Sequence, residues 1–167
     1  MVEQNETLIK LRTDTQNIDW QAVSDILSHF GLNHYDAEPQ EKIFKNSYGV
    51  AFLYDQEKLV GCGRVLSDGI CQAAIYNIAL LEEYQGRSLG RTIIESLLDQ
   101  VKGCTISLYT HPKTVGLYEK FGFRRQKTGM VIMGHEDEEL KWLEGEGFLL
   151  PQGFRFADSI YEQETGG

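Results

Sequence analysis

The stretch of this chain with the most chemical content is Leu80-Leu81-Glu82-Glu83-Tyr84-Gln85-Gly86-Arg87-Ser88-Leu89-Gly90-Arg91. An apolar run over residues 70–80, which reads as a buried strand, ends there. A glycine-containing turn follows. Residues 88–102 then place Leu89, Ile93, Ile94, Leu97, Leu98 and Val101 on one stripe of an amphipathic helix. A strand that turns tightly into a helix aims several backbone N–H groups at one point, with the positive end of the helix dipole behind them. That is a site for a phosphate or pyrophosphate. Gly86 and Gly90 remove the Cβ atoms that would hold an anion away from the backbone, and Arg87 and Arg91 can add charge. The same residues also fit a plain strand-to-helix turn, with two glycines shaping the chain and two solvated arginines.

Other side chains with chemical capacity are scattered. Asp68 stands beside Gly69, which reads as a turn. His111 follows the next strand and is of a residue type that can serve as a base, but a surface or capping role suits it equally. Tyr76 faces either a cleft or the core. His29, His34 and His135 have no ligand spacing, and no metal site is expected. Cys62, Cys71 and Cys104 are an odd number in apolar stretches. Three buried free thiols in a reducing, cytoplasmic setting are expected.

The elements that must position these groups follow from periodicity and punctuation. Residues 7–12 read as a strand. Residues 18–30 are helical in spacing with Gly31 as the stop, and residues 38–45 form a second, short helix. Residues 48–54 and 58–66 are strands joined through Asp55-Gln56-Glu57. Asp68-Gly69 predicts a two-residue type I′ turn into the strand at 70–80. These strands form a meander. After the 88–102 helix, stopped by Gly103, residues 104–109 are a strand, so strand, helix and strand make a right-handed parallel crossover. A short helix over 113–121 ends at Gly122. Residues 124–127 and 130–133 close the sheet as a hairpin around Thr128-Gly129, and residues 136–143 form an acidic-starting helix.

Residues 85–90 resemble the signature of the GNAT N-acetyltransferase family, Gln/Arg-x-x-Gly-x-Gly/Ala, read here as Gln85-Gly86-Arg87-Ser88-Leu89-Gly90. Ser88 stands where the first signature glycine belongs. It keeps its N–H and adds a hydroxyl, at the cost of a Cβ in a crowded place. A second segment, Thr110-His111-Pro112-Lys113-Thr114-Val115-Gly116-Leu117-Tyr118-Glu119-Lys120-Phe121-Gly122-Phe123, resembles the family's short helix and Gly-Phe ending. The resemblance covers residues 7 to about 133. It implies an α/β fold: a mixed, mostly antiparallel sheet with a splayed parallel central pair and helices on both faces. It implies acetyl-CoA as co-substrate, with the pantetheine arm against Ile78, Ala79 and Leu80 and the pyrophosphate on Gln85, Gly86, Arg87, Ser88, Leu89, Gly90 and Arg91. An amine attacks the thioester directly, an N–H near Ala79 or Leu80 meets the oxyanion, and Tyr118 is the general acid for the departing thiolate. Members often place a carboxylate base at the position of Asn77, which cannot take a proton. A homodimer is compatible with the resemblance.

The net charge of −9 lies mostly in residues 135–167, which hold nine acids against Lys141 and Arg155. No basic stripe offers a nucleic-acid footprint. No apolar run reaches the roughly 18 residues that a membrane span needs, and the first residues carry no signal-peptide pattern. One domain over 1–167 is expected, with 135–167 a C-terminal extension. The expected activity is transfer of an acetyl group to a primary amine. The rival is a non-catalytic acyl-CoA-binding or regulatory module. A nucleotide-binding βαβ protein fits less well: the turn has no Gly-Lys-Ser/Thr ending, and 104–109 lacks an acid for a ribose.

Overall fold

In the computed structural model, which describes residues 8–134 and 137–154, the chain opens with strand β1 (Ile9–Arg12) and helices α1 (Trp20–His29) and α2 (Ala37–Lys45). Strands β2 (Gly49–Asp55), β3 (Lys58–Ser67) and β4 (Gln72–Leu80) follow. A 3-10 turn over Glu82–Tyr84 leads to α3 (Leu89–Gln100) and the short strand β5 (Thr105–Ser107). These elements form one compact unit that runs to Leu108; a second begins at Tyr109. The second contains a 3-10 turn at Pro112–Thr114 and helices α4 (Val115–Glu119) and α5 (Asp137–Gly145). Thr7, His135, Glu136 and residues 155–167, which the sequence reading used, lie outside the described residues.

The sheet keeps chain order, β1-β2-β3-β4-β5. The first four strands pair antiparallel and β4 pairs with β5 in parallel. This is the mixed sheet that the resemblance implied. Strand β2 is apolar without alternation because both its faces are covered. On one face Val50, Phe52, Tyr54 and Cys62 join Val23, Ile26 and Leu27 of α1 and Phe44 of α2. Trp20 packs on Phe44 and Phe52 with ring centroids 5.9 Å apart in both pairs. Burial of each large side chain stabilises by about 1.5–3 kcal/mol. On the other face Gly61 and Gly63 lie under α3. A Cβ on Gly63 would come within 2.9 Å of Ile93 Cγ2 and Leu97 Cδ1. The two glycines let a helix sit close on the sheet.

The helices begin and end on local signals. Asp19 caps α1 by accepting from the Ala22 amide at 3.0 Å, and Gly31 leaves it at a φ of 66°. Gly103, at a φ of 94°, follows α3. In the second unit Gly122, at 91°, follows α4.

Four expectations need correction. Asp68-Gly69 is not a two-residue turn. Ser67 pairs with Ala73, so residues 68–72 make the connection, and only Gly69 takes a positive φ. The Asp68 carboxylate builds the wider loop by accepting from the amides of Ile70 and Cys71 at 2.7 Å and Gln72 at 3.2 Å. Among the described residues no strand follows Ser107. The hairpin expected at 124–127 and 130–133 is therefore absent there, and Met130 and Ile132 are 98% exposed. Strand propensity acts only where a partner edge is met. Strand β5 is also shorter than the 104–109 run. Finally, Cys62 is buried but Cys71 is exposed and Cys104 only half-buried, because both precede their strands.

Candidate active site

Strands β4 and β5 pair only through Gln72, Ala73 and Ala74 against Thr105, Ile106 and Ser107. From residue 75 to Leu80 the β4 edge has no strand partner among the described residues. Its other edge stays paired with β3, but not evenly. Cys62 opposes Ala79 while Arg64 opposes Tyr76, so Asn77 and Ile78 together face Gly63. Asn77 absorbs this bulge at a φ of 57°, a conformation that asparagine tolerates better than most residues. Arg64 Nε donates to Asn77 Oδ1 at 2.5 Å and its guanidinium lies 5.1 Å from the Tyr76 ring centroid. The Asn77 side chain is thus a fixed part of the strand. Sequence reasoning missed this bulge; the available signal was an asparagine inside an apolar strand run.

Beyond Leu80 the chain is held on both sides. The Leu81 amide donates to Val60 O at 2.9 Å. Tyr84 is buried, and its hydroxyl donates to Asp55 Oδ2 at 2.8 Å. Gln85 turns inward, its Nε2 donating to Leu80 O at 2.9 Å. Gly86 takes a φ of 77° and Ser88 one of 62°. The signature glycine thus has a backbone reason: its position is left-handed, where an L-residue is strained. The α3 ladder starts with Thr92 N donating to Ser88 O at 3.2 Å. Among the described residues no acceptor is assigned to the amides of Gly86, Arg87, Ser88, Leu89 and Gly90. Arg87 lies over the Tyr84 ring at 5.7 Å, and Arg91 Nε donates to Glu95 Oε1 at 2.7 Å. Ile78, Ala79, Leu80 and residues 85–91 thus form one continuous path of strand edge, turn and helix start.

Tyr118 belongs to the second unit. Phe123 packs edge-on against it at 6.0 Å, and the amides of Phe121 and Phe123 donate to its carbonyl. Its hydroxyl has no hydrogen-bond partner among the described residues. Burial raises its pKa above the ordinary phenol value.

The candidate bases are committed elsewhere. Asp68 accepts three amides and the Cys71 thiol; these bonds, led by the amides of Cys71 and Ile70, hold its pKa well below the usual carboxylate range. His111 Nδ1 accepts from the Lys113 amide at 3.1 Å, and its Nε2 lies 3.2 Å from Glu146 Oε2. His29 pairs with Glu82 at 2.7 Å. Among the described residues no group of His, Cys, Asp or Glu has the geometry of a metal site. None of their helices is long and apolar enough to cross a membrane.

A mixed sheet whose parallel pair parts beside an amide-lined strand-to-helix turn defines an acyltransferase-type fold. Residues 14–134 match the family described as the acetyltransferase (GNAT) domain. The chain is 26% identical over 128 residues to GCN5-related N-acetyltransferase 1, chloroplastic, of Arabidopsis thaliana, a match covering 74% of this chain and 65% of that protein. It is 34% identical over 128 residues to the uncharacterized N-acetyltransferase ycf52 of Pyropia yezoensis, covering 72% and 74%. A Staphylococcus aureus structure described as a probable acetyltransferase superposes with a TM-score of 0.65 at 29% identity, over 75% of this chain and 99% of that one. The chain therefore belongs to the GNAT acetyltransferase family, whose general reaction is acetyl-CoA-dependent acetyl transfer.

Proposed function

We propose that this chain transfers an acetyl group from acetyl-CoA to a primary amine by direct attack within a ternary complex. The observation that carries the reading is the turn at 85–91: five amides without an acceptor among the described residues, at the positive end of α3, next to an unpaired strand edge. The fit to a pyrophosphate can be tested on the glycines. A Cβ on Gly86 would meet nothing within 4 Å, and one on Gly90 only Leu80 Cδ2 at 3.9 Å. Among the described residues, packing leaves the space above both glycines open. The amides of Gly86, Arg87, Ser88, Leu89 and Gly90 would hold the pyrophosphate, with Arg87 and Arg91 adding charge. Gln85 acts from beneath, holding the Leu80 carbonyl. The backbone of Ile78, Ala79 and Leu80 suits the amides of the pantetheine arm.

Tyr118 is the general acid in this reading. A phenol is protonated at neutral pH, the form that can donate to a departing thiolate, and burial favours that form further. The incoming amine must lose a proton first. Asp68 and His111 are already hydrogen-bonded and Asn77 has no basic lone pair, so we assign that proton to water. A cytoplasmic location and a homodimer are further parts of the proposal.

The lack of an uncommitted base among these residues is also the feature that favours a non-catalytic acyl-CoA-binding module. One experiment separates the readings. Acetyl-CoA is mixed with the protein and a panel of primary amines, and free thiol is followed colorimetrically, with CoA binding measured alongside. Amine-dependent thiol release supports the enzyme. CoA binding with no release above the no-enzyme rate, for any amine, refutes it.

A further inference from the structure

We propose that Cys71 and Cys104 form a reversible disulfide that staples the closed end of the β4–β5 pair. The parallel ladder places them one step before Gln72 and Thr105, and the Thr105 amide donates to Cys71 O at 2.8 Å, so the ladder reaches these residues. Register partners in a parallel pair share a face and stand about 5 Å apart, within the Cα separation that a disulfide spans. One corner gathers both thiols. Cys71 Sγ donates to Asp68 Oδ2 at 3.1 Å, and Cys104 Sγ lies 3.8 Å from the Oγ of the adjoining Ser67. The thiols are also close enough for charge on Cys104 to disfavour charge on Cys71, although Asp68 is the larger cause of the raised Cys71 pKa. Cys62 takes no part; it is buried, and its thiol is pushed up to about 12 by desolvation.

The oxidant is a small disulfide such as glutathione disulfide. Exposed Cys71 loses its proton to solvent, attacks one of the oxidant's sulfurs as the thiolate and expels one glutathione thiolate. The Cys104 thiolate then attacks Cys71 Sγ and expels the second glutathione. Two protein thiols are oxidised and one glutathione disulfide is reduced to two thiols. The new bond closes a loop that holds β4, the turn at 85–91 and α3, so oxidation restrains the unit that carries the proposed CoA path.

The full chain is equilibrated in glutathione redox buffers of graded ratio, quenched with acid, alkylated and digested with trypsin without reductant. The expected product is a cross-linked pair of peptides spanning 65–87 and 103–113, two hydrogen masses lighter than the separate thiols, with Cys62 alkylated only after unfolding. The oxidised chain melts higher by on the order of 10 °C. Reductant reverses both changes. Cys71→Ser and Cys104→Ser each abolish the cross-link and the shift; Cys62→Ser keeps them. Stable mixed disulfides with glutathione on both cysteines, or cross-links between chains in place of the internal one, overturn the proposal.

Discussion

Replacing Ser88 by glycine tests the turn through its backbone. Ser88 sits at a φ of 62° with no side-chain hydrogen bond to the helix it precedes. A left-handed conformation costs an L-residue about 1–2 kcal/mol. Glycine avoids that cost but loses roughly 0.5–1 kcal/mol more chain entropy on folding. The difference favours glycine by about 0.5–1 kcal/mol. For a chain of this size that is a rise in Tm of about 1–4 °C. Gly86→Ala is the mirror image. Its φ of 77° has open space around it, so the added methyl strains the backbone without a clash. Its Tm should fall by about 1–4 °C. Thermal unfolding of the free proteins reads both signs, and calorimetric titration with CoA reads the ligand. Ser88→Gly keeps the amide, so CoA affinity should fall by no more than about a hundredfold, roughly the most that one lost hydroxyl hydrogen bond to a charged phosphate would cost. A lower Tm for Ser88→Gly would refute the backbone argument. Complete loss of CoA binding in a folded Ser88→Gly protein would place the anion site elsewhere.

Tyr118→Phe keeps the ring against Phe123 and removes only the hydroxyl; kcat should fall about 10²-fold or more with CoA affinity nearly unchanged, as steady-state kinetics beside CoA titration would report. Gly63→Ala drives a methyl into Ile93 and Leu97 and should lower Tm by about 2–12 °C. Asp68 has its pKa lowered on folding, so its contribution is present above the unfolded value of about 3.9 and is lost as pH falls toward the folded one. Asp68→Asn should therefore melt lower than the parent at neutral pH, and the gap in Tm should narrow in acid. Truncation after Gly134 should alter amine preference or oligomeric state, read by kinetics and light scattering, more than CoA affinity; lost CoA binding with a normal fold and assembly would contradict this.

Much of the architecture was legible in the residues because its causes are local. Gly31 stops α1 through its left-handed φ. The stripe from Leu89 to Val101 predicts α3, since 3.6-residue periodicity needs no knowledge of the partner surface. The turn at 85–91 was visible for the same reason: a strand end, two glycines and a helix start within one short segment mark the proposed anion site. What remained hidden depends on partners distant in the chain. The bulge at Asn77 exists because β3 and β4 contribute different numbers of residues between two paired positions, and Arg64 locks it. The width of the Asp68 loop follows from which residue pairs with Ser67, not from the Asp-Gly dipeptide. Residues 130–133 have the composition of a strand yet pair with none among the described residues, because propensity supplies no edge. Cys71 and Cys104 stand at adjoining strand entrances only because a parallel crossover brings β4 and β5 side by side. The sequence by itself determined the helices and the amide-lined turn, through rotation per residue and capping. Tertiary structure alone decided register, and with it where β4 parts from β5, because register is a relation between strands that neither carries alone.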